Sequence, residues 1–178
     1  MTMLELKKTL IKLISSVIRK LRGEVSTKAL IKMGLTVGSN FSREGGVRID
    51  TSYCFLIVIG NNVVLAPNVN VLAHDASLKN VLGISKLGRV SIGNDVFVGA
   101  NSIILPNVSI GNNVIIGAGS LVNKNIPDNT VVAGNPIRTI CSIEDIKNKN
   151  KGLMLTRPLY DRTFNAIEIN ELKRQKMR

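Results

Sequence analysis

β-Branched aliphatics recur at every sixth residue through the middle of this chain. Steps of six from Ile92 reach Val98, Ile104, Ile110, Ile116 and Val122. Steps of six from Leu35 reach Phe41, Val47, Tyr53, Ile59, Leu65 and Val71. An amphipathic helix needs apolar recurrence at three and four residues, so this period excludes one. Within each hexad, residues two apart lie on the same side of a short strand. The corners read Ile59-Gly60-Asn61-Asn62, Ile92-Gly93-Asn94-Asp95 and Ile110-Gly111-Asn112-Asn113. Gly and Asn both tolerate the left-handed backbone that a corner needs. Strand and corner in alternation around a filled interior make an all-β solenoid. Three six-residue sides close one triangular turn of 18 residues. The inward positions leave no room for rings, which accounts for a chain with 3% aromatic residues and no Trp.

The register breaks once in this reading. Ile92 follows Val71 by 21 residues, which is not a multiple of six, so a loop is extruded over residues 75–90. A long insertion in a regular solenoid is more often functional than decorative. The residue before each inward aliphatic points outward, and residues 18 apart share a face. Phe97 pairs in this way with Ile115, Ile103 with Leu121, and Ser91 with Ser109. Two faces are thus apolar and one polar. A prism with two apolar faces is best satisfied by a closed ring, so the spacing predicts a homotrimer.

Three regions follow: an N-terminal helical cap over 1–34, the solenoid over 35–141, and a C-terminal helical extension over 142–178. The net charge of +12 is concentrated in the two ends. Residues 3–22 have helical spacing, with Leu10, Ile14, Val17, Ile18 and Leu21 on one side and Lys7, Lys8, Lys12, Arg19 and Lys20 elsewhere. The stretch reads either as a cap over the solenoid's open end or as a helix lying on an anionic membrane. Ser142 with Asp145 resembles a capping box, and 163–177 reads as a second C-terminal helix. The basic residues do not interleave with aromatics, which argues against nucleic acid. Lys12 interrupts the apolar N-terminal stretch and no cleavage site follows it. Cys54 and Cys141 are far apart, with no disulfide framework or zinc pattern. The chain reads as cytoplasmic, with peripheral contact at the inner membrane surface if the basic helix serves there. His74 is the one histidine, which excludes a metal site built on several imidazoles.

Residues 57–141 resemble the hexapeptide-repeat acyltransferases, most closely the sugar O-acetyltransferases, including those of bacterial surface-polysaccharide synthesis. The resemblance is carried by IGNNVVLAPNVNVLAHDAS at 59–77 and by VSIGNDVFVGANSIILPNVSIGNNVIIGAGSLVNKNIPDNTVVAGNPIRTI at 90–140. It implies a left-handed parallel β-helix with acetyl-CoA in the cleft between neighbouring prisms, a sugar acceptor and no metal. It also implies His74 as the general base, a role that suits a neutral imidazole at physiological pH. Asp50 and Asp75 are the nearby carboxylates that could orient the ring, and a backbone carbonyl would serve equally. Where relatives often have a serine this chain has Ala100, so backbone N–H groups near Gly99 and Ala100 would meet the oxyanion. Phe97 stands where relatives often have Trp against the donor cleft, a position that equally suits trimer packing. Ala118 and Gly119 would let a pantetheine arm approach the backbone, or are simply repeat corners. Lys124 and Arg138 match basic positions that meet CoA phosphates, or are solvated charges.

Two other classes compete with O-acetylation. One is acyl transfer to serine or to the amine of a nucleotide sugar. The other is a non-catalytic trimeric scaffold, against which the extruded loop and His74 argue. A metal-dependent lyase of the γ-carbonic-anhydrase type needs three histidines per site and is excluded.

Overall fold

The computed structural model describes residues 23–153, together with Leu6, Thr9, Leu10, Ile14, Val17 and Leu21 of the preceding stretch. The chain divides into two compact units, Ile18–Ile143 and the two ends, Met1–Val17 with Glu144–Arg178. In the unit built from the ends, Leu6, Leu10, Ile14 and Val17 are helical and exposed. A helix over Ile143–Leu153 carries Glu144 and Asp145 in its first turn, where acidic groups complement the helix dipole. Most of stretch 3–22, and all of 163–177, lie outside the described residues.

The larger unit is a three-sided coil. Its first turn is β1 (Thr36–Val37), β2 (Ser42–Arg43) and β3 (Arg48–Ile49). The second is β4 (Ile57–Ile59), β5 (Val64–Leu65) and β6 (Asn70–Val71), followed by a hairpin of β7 (His74–Asp75) and β8 (Lys86–Leu87). The third is β9 (Val90–Ile92), β10 (Val96–Val98) and β11 (Ile103–Ile104). The fourth is β12 (Val108–Ile110), β13 (Val114–Ile116) and β14 (Leu121–Val122), and β15 (Thr130–Ala133) and β16 (Arg138–Ser142) end the coil. Successive strands pass to successive sheets: β1-β4-β9-β12, then β2-β5-β10-β13-β15-β16, then β3-β6-β11-β14. Pairing between turns is parallel, and only β16 returns antiparallel, on β15. The inward columns stack in register: Ile59 on Ile92 and Ile110 in the first sheet, Leu65, Val98 and Ile116 in the second, Val71, Ile104 and Val122 in the third. These side chains form one continuous aliphatic core.

Two expectations from sequence are corrected here. The first concerns the corner glycines. The left-handed positions are Asn62, Asp95 and Asn113, each two residues after a glycine. Gly60, Gly93 and Gly111 serve close approach instead. A Cβ on Gly60 would lie 2.6 Å from the Gly93 carbonyl oxygen, and one on Gly93 would lie 2.6 Å from that of Gly111. Only a residue without a side chain lets adjacent turns stack there.

The second concerns register, which breaks twice before residue 90. The third and fourth turns keep the 18-residue offset, as in Ser91 against Ser109, and the strand above them is offset by 16, with Ile115 beside Val131. Between the first and second turns the offset is 22, with Thr36 beside Val58 and Ser39 bonded to Asn61. Between the second and third it is 33, with Asn61 bonded to Asn94. Four extra residues thus enter at 50–56, where the six-residue spacing through Tyr53 looks unbroken. The insertion is masked because the aligned series changes column: Leu35 and Val47 precede the strand positions that stack under Ile59 and Val71. The stacked inward residue beneath Leu65 is Arg43, at the prism's end, where its guanidinium donates to the Val25 carbonyl. That end is covered by α1 (Thr27–Lys32), whose N-cap Ser26 accepts from the Ala29 N–H and whose Leu30 is buried in the core.

Candidate active site

The corner that leads from the third sheet to the first is the irregular one. It carries residues 50–56 below the second turn and the hairpin above it, so both insertions into the repeat stack at one place. The hairpin pairs His74 with Leu87 and Asp75 with Lys86, antiparallel. The residues read as a loop over 75–90 are therefore largely ordered, with a short helix α2 (Lys79–Leu82) at the tip. The hairpin's base is pinned between turns. The Gly88 N–H donates to the Ala73 carbonyl at 3.0 Å, and a Cβ on Gly88 would sit 2.4 Å from the Asn107 nitrogen.

His74 meets Asp50 here. Nδ1 of the imidazole is bonded to Oδ2 of the carboxylate. The Asp50 side chain is 2% exposed and that of His74 37%. Oδ2 also accepts from the Ala73 N–H at 3.1 Å. Oδ1 accepts from Ser52 and Tyr53 N–H at 3.1 and 3.2 Å. Burial pushes the Asp50 carboxyl upward, but the bonds from His74 and Ala73, the nearby imidazole charge and the Tyr53 N–H outweigh it, and the group lies below the usual carboxylate value. An ionised carboxylate only accepts. Nδ1 therefore carries the proton in the neutral ring, and Nε2 keeps its lone pair. That is the tautomer a general base requires.

Asp75 does something else. Its Oδ1 accepts from the Ser77 N–H at 2.8 Å. Bonds from Ser77, first from its backbone, hold its carboxyl below the usual value, with Lys86 and His74 adding a smaller pull. The carboxylate next to His74 in sequence shapes the hairpin, and the one 24 residues away orients the ring. Tyr53 also meets the imidazole, with ring centroids 5.2 Å apart and planes inclined at 50°. The six-residue spacing assigns Tyr53 to the core. Rings at Phe41 and Tyr53, in a series with no room for rings, are the sign that this series is out of column before Ile59.

On its other side, His74 opens onto a groove of about 610 Å³. The groove runs between hairpin residues Asp75, Lys86 and Leu87 and the next turn's corner at Leu105, Pro106 and Asn107.

The residues expected to hold the donor lie elsewhere on the chain. Gly99 and Ala100 form the corner between the second and third sheets in one turn, and Ala118 and Gly119 form it in the next. They stack tightly: the Gly119 N–H donates to the Ala100 carbonyl at 2.8 Å, and a Cβ on Gly99 would lie 2.4 Å from the Ala118 nitrogen. The Gly99 N–H is engaged with the Ile116 carbonyl at 2.8 Å, so as an oxyanion donor it would have to leave the ladder. Among the described residues the Ala100 N–H has no such partner. Phe97 is 44% exposed on the outer face of the second sheet, between Val64 and Ile115. Lys124 is exposed at the third-to-first corner, two turns above His74, and Arg138 is exposed on β16.

Comparison with known proteins agrees with this architecture. The bacterial transferase hexapeptide family (six repeats) matches residues 89–124. Protein CapG of Staphylococcus aureus is 42% identical over 138 residues, spanning 74% of this chain and 80% of that protein. A maltose O-acetyltransferase from Clostridium difficile 630 superposes with a TM-score of 0.54 at 33% identity, over 75% of this chain and 88% of that one. A galactoside acetyltransferase in complex with coenzyme A superposes with a TM-score of 0.56 at 31% identity, over 75% and 73% of the two chains. The coil, its repeat and these similarities agree: the chain belongs to the hexapeptide-repeat acetyltransferases.

Proposed function

We propose that this protein transfers an acetyl group from acetyl-CoA to a hydroxyl of a sugar, in the synthesis of a bacterial surface polysaccharide. The observation that carries the reading is the buried Asp50 holding Nδ1 of the single histidine beside an open groove. Nε2 takes the proton of the acceptor hydroxyl as its oxygen attacks the thioester carbonyl. Asp50 stabilises the imidazolium that forms, and the same proton then passes to the departing thiolate. The oxygen–acyl bond replaces the sulfur–acyl bond, and no oxidant or metal enters the balance. The Ala100 N–H is the donor assigned to the oxyanion.

The reading requires more than one copy. His74 lies at the third-to-first corner, and Gly99, Ala100, Ala118 and Gly119 lie at the second-to-third, one sheet width away. A neighbouring copy that sets its second-to-third corner against His74 completes the site. Outward Phe97 and Ile115 on one face, and Ile103 and Leu121 on another, support a homotrimer. Lys124 and Arg138 are then the cations for the donor's phosphates. The left hand of the coil rests on family membership. The enzyme is placed in the cytoplasm, with the basic stretch 3–22 available to an anionic membrane surface.

The test is thiol release from acetyl-CoA with a panel of sugars, amino sugars and serine, wild type beside His74→Ala. Sugar-dependent release that collapses in the variant supports the proposal. Release with an amine or with serine alone would move the reaction to N-acylation or to a different hydroxyl. Absence of release with any acceptor, together with no acetyl-CoA binding, would promote a scaffold.

A further inference from the structure

We infer that the turn at 51–56 is the acceptor wall of this site: Phe55 takes the apolar C–H face of a hexopyranose, and Tyr53 positions the imidazole beside it. The inference rests on the sugar O-acetyltransferase reading and names where that acceptor binds.

The chain has only six aromatic residues, four Phe and two Tyr. Two of them, Tyr53 and Phe55, stand on the four-residue insertion at the corner that bears His74. Their rings are 6.2 Å apart and inclined at 58°. The insertion puts both rings at the corner that bears the imidazole, whereas the other ring packed against the core, Phe41, lies before β2.

The turn is braced from three sides. Asp50 accepts from Ser52 and Tyr53 N–H with the same carboxylate that holds His74. The Leu56 N–H donates to the Tyr53 carbonyl at 2.9 Å. The Cys54 thiol is buried and donates towards the Met33 and Leu30 carbonyls at 3.4 and 3.7 Å. Phe55 itself sits on Gly34, where a Cβ would come within 2.7 Å of the Phe55 Cβ. Phe55 is nonetheless 57% exposed. An apolar ring held in water by a fixed backbone is a pre-organised surface, so little ordering is needed when a ligand covers it. A pyranose fits such a surface. Its axial C–H groups meet the electron-rich face of the ring, and its hydroxyls project at the rim, on a turn linked to the imidazole through Tyr53. Serine and acyclic polyols present no comparable face.

The chain has no Trp, so Phe55→Trp puts one fluorophore on the turn with no background. Its emission is titrated with methyl glucoside, galactoside and mannoside, and with the matching acyclic alditols. The expected result is a saturable shift with a pyranoside, and none with its alditol, at concentrations that track the acceptor KM. Phe55→Ala raises that KM about tenfold and leaves kcat and the acetyl-CoA KM within about twofold. Tyr53→Phe keeps kcat and its pH profile. Tyr53→Ala lowers kcat and moves the profile, because the imidazole is no longer wedged. An emission that stays still at saturating acceptor while transfer proceeds overturns the inference. Dissociation of the oligomer by Phe55→Ala in light scattering also overturns it, by assigning the ring to a contact between copies. A saturable shift in the absence of any transfer by wild type overturns the transfer reading and keeps the wall. Absence of both overturns both.

Discussion

Two corners of the same prism are made from the same hexads and have become different things. At the first-to-second corner every turn repeats the last. The Ser39 N–H donates to Asn61 Oδ1, Asn61 N–H to Asn94 Oδ1, Asn94 N–H to Asn112 Oδ1, and Asn112 N–H to Asp128 Oδ1, at 2.7–2.8 Å throughout. Left-handed residues recur there at Asn40, Asn62, Asp95, Asn113 and Asn129. At the third-to-first corner only Asn107 keeps that conformation among the described non-glycine residues. The first two turns depart into 50–56 and the hairpin, and the buried carboxylate, the imidazole and the exposed ring are found on those departures. Repetition builds a stiff ladder, because each amide group satisfies the next. Chemistry needs groups that differ from one turn to the next, so it collects where the repeat is interrupted.

That contrast can be broken from the irregular side first. His74→Ala should lower kcat by about 10³–10⁴ with the fold unchanged, read as acceptor-dependent thiol release. Asp50→Asn should lower kcat by about 10²–10³, since an amide no longer enforces the proton on Nδ1. Asp75→Asn should fall short of that loss. Equal losses in the two would dissolve the distinction between the carboxylates.

Acid stability sharpens the same point. The Asp50 pKa is lowered by folding from a reference of 3.8. Its contribution is therefore complete above the unfolded value and is lost as pH falls through the lower, folded one. Asp50→Asn should flatten the wild-type decline in urea midpoint below about pH 4. A decline of unchanged steepness would remove Asp50 as its source.

The regular side should respond in stability. Gly93→Ala forces a Cβ to 2.6 Å from the Gly111 carbonyl oxygen and should cost about 3 kcal/mol in urea unfolding. Gly83→Ala, at the hairpin, has φ +71° but no atom within 4 Å of the added Cβ, and should cost about 1 kcal/mol. Equal costs would mean that the stacked corners hold the coil no more tightly than the hairpin does. Asn94→Ala removes one rung and should cost about 1 kcal/mol.

Much of this is legible in the sequence. The period of six identified three sides, the inward columns over Ile92 to Val122, and the 18-residue pairing of Phe97 with Ile115 and Ser91 with Ser109. The second interruption was hidden by coincidence. A four-residue insertion and a two-residue change of column restore a multiple of six, so Tyr53 fell on a core position. The glycines were visible, but their purpose was not. Local conformation is a property of one residue, whereas closeness to the next turn belongs to the stack.

The sequence by itself therefore determined which side chains face inward from Ile59 to Val122, and which histidine is available. Hydropathic periodicity survives wherever strands repeat, and a lone histidine needs no alignment to find. Only the tertiary structure decided which carboxylate orients that histidine. Asp75 is adjacent in the chain but turns back to Ser77. Asp50 is one turn below, and the vertical stacking of the coil, at 24 residues' separation, brings it to Nδ1. Proximity in a solenoid is set by turn length, and turn length changes at the corner where the interruptions lie.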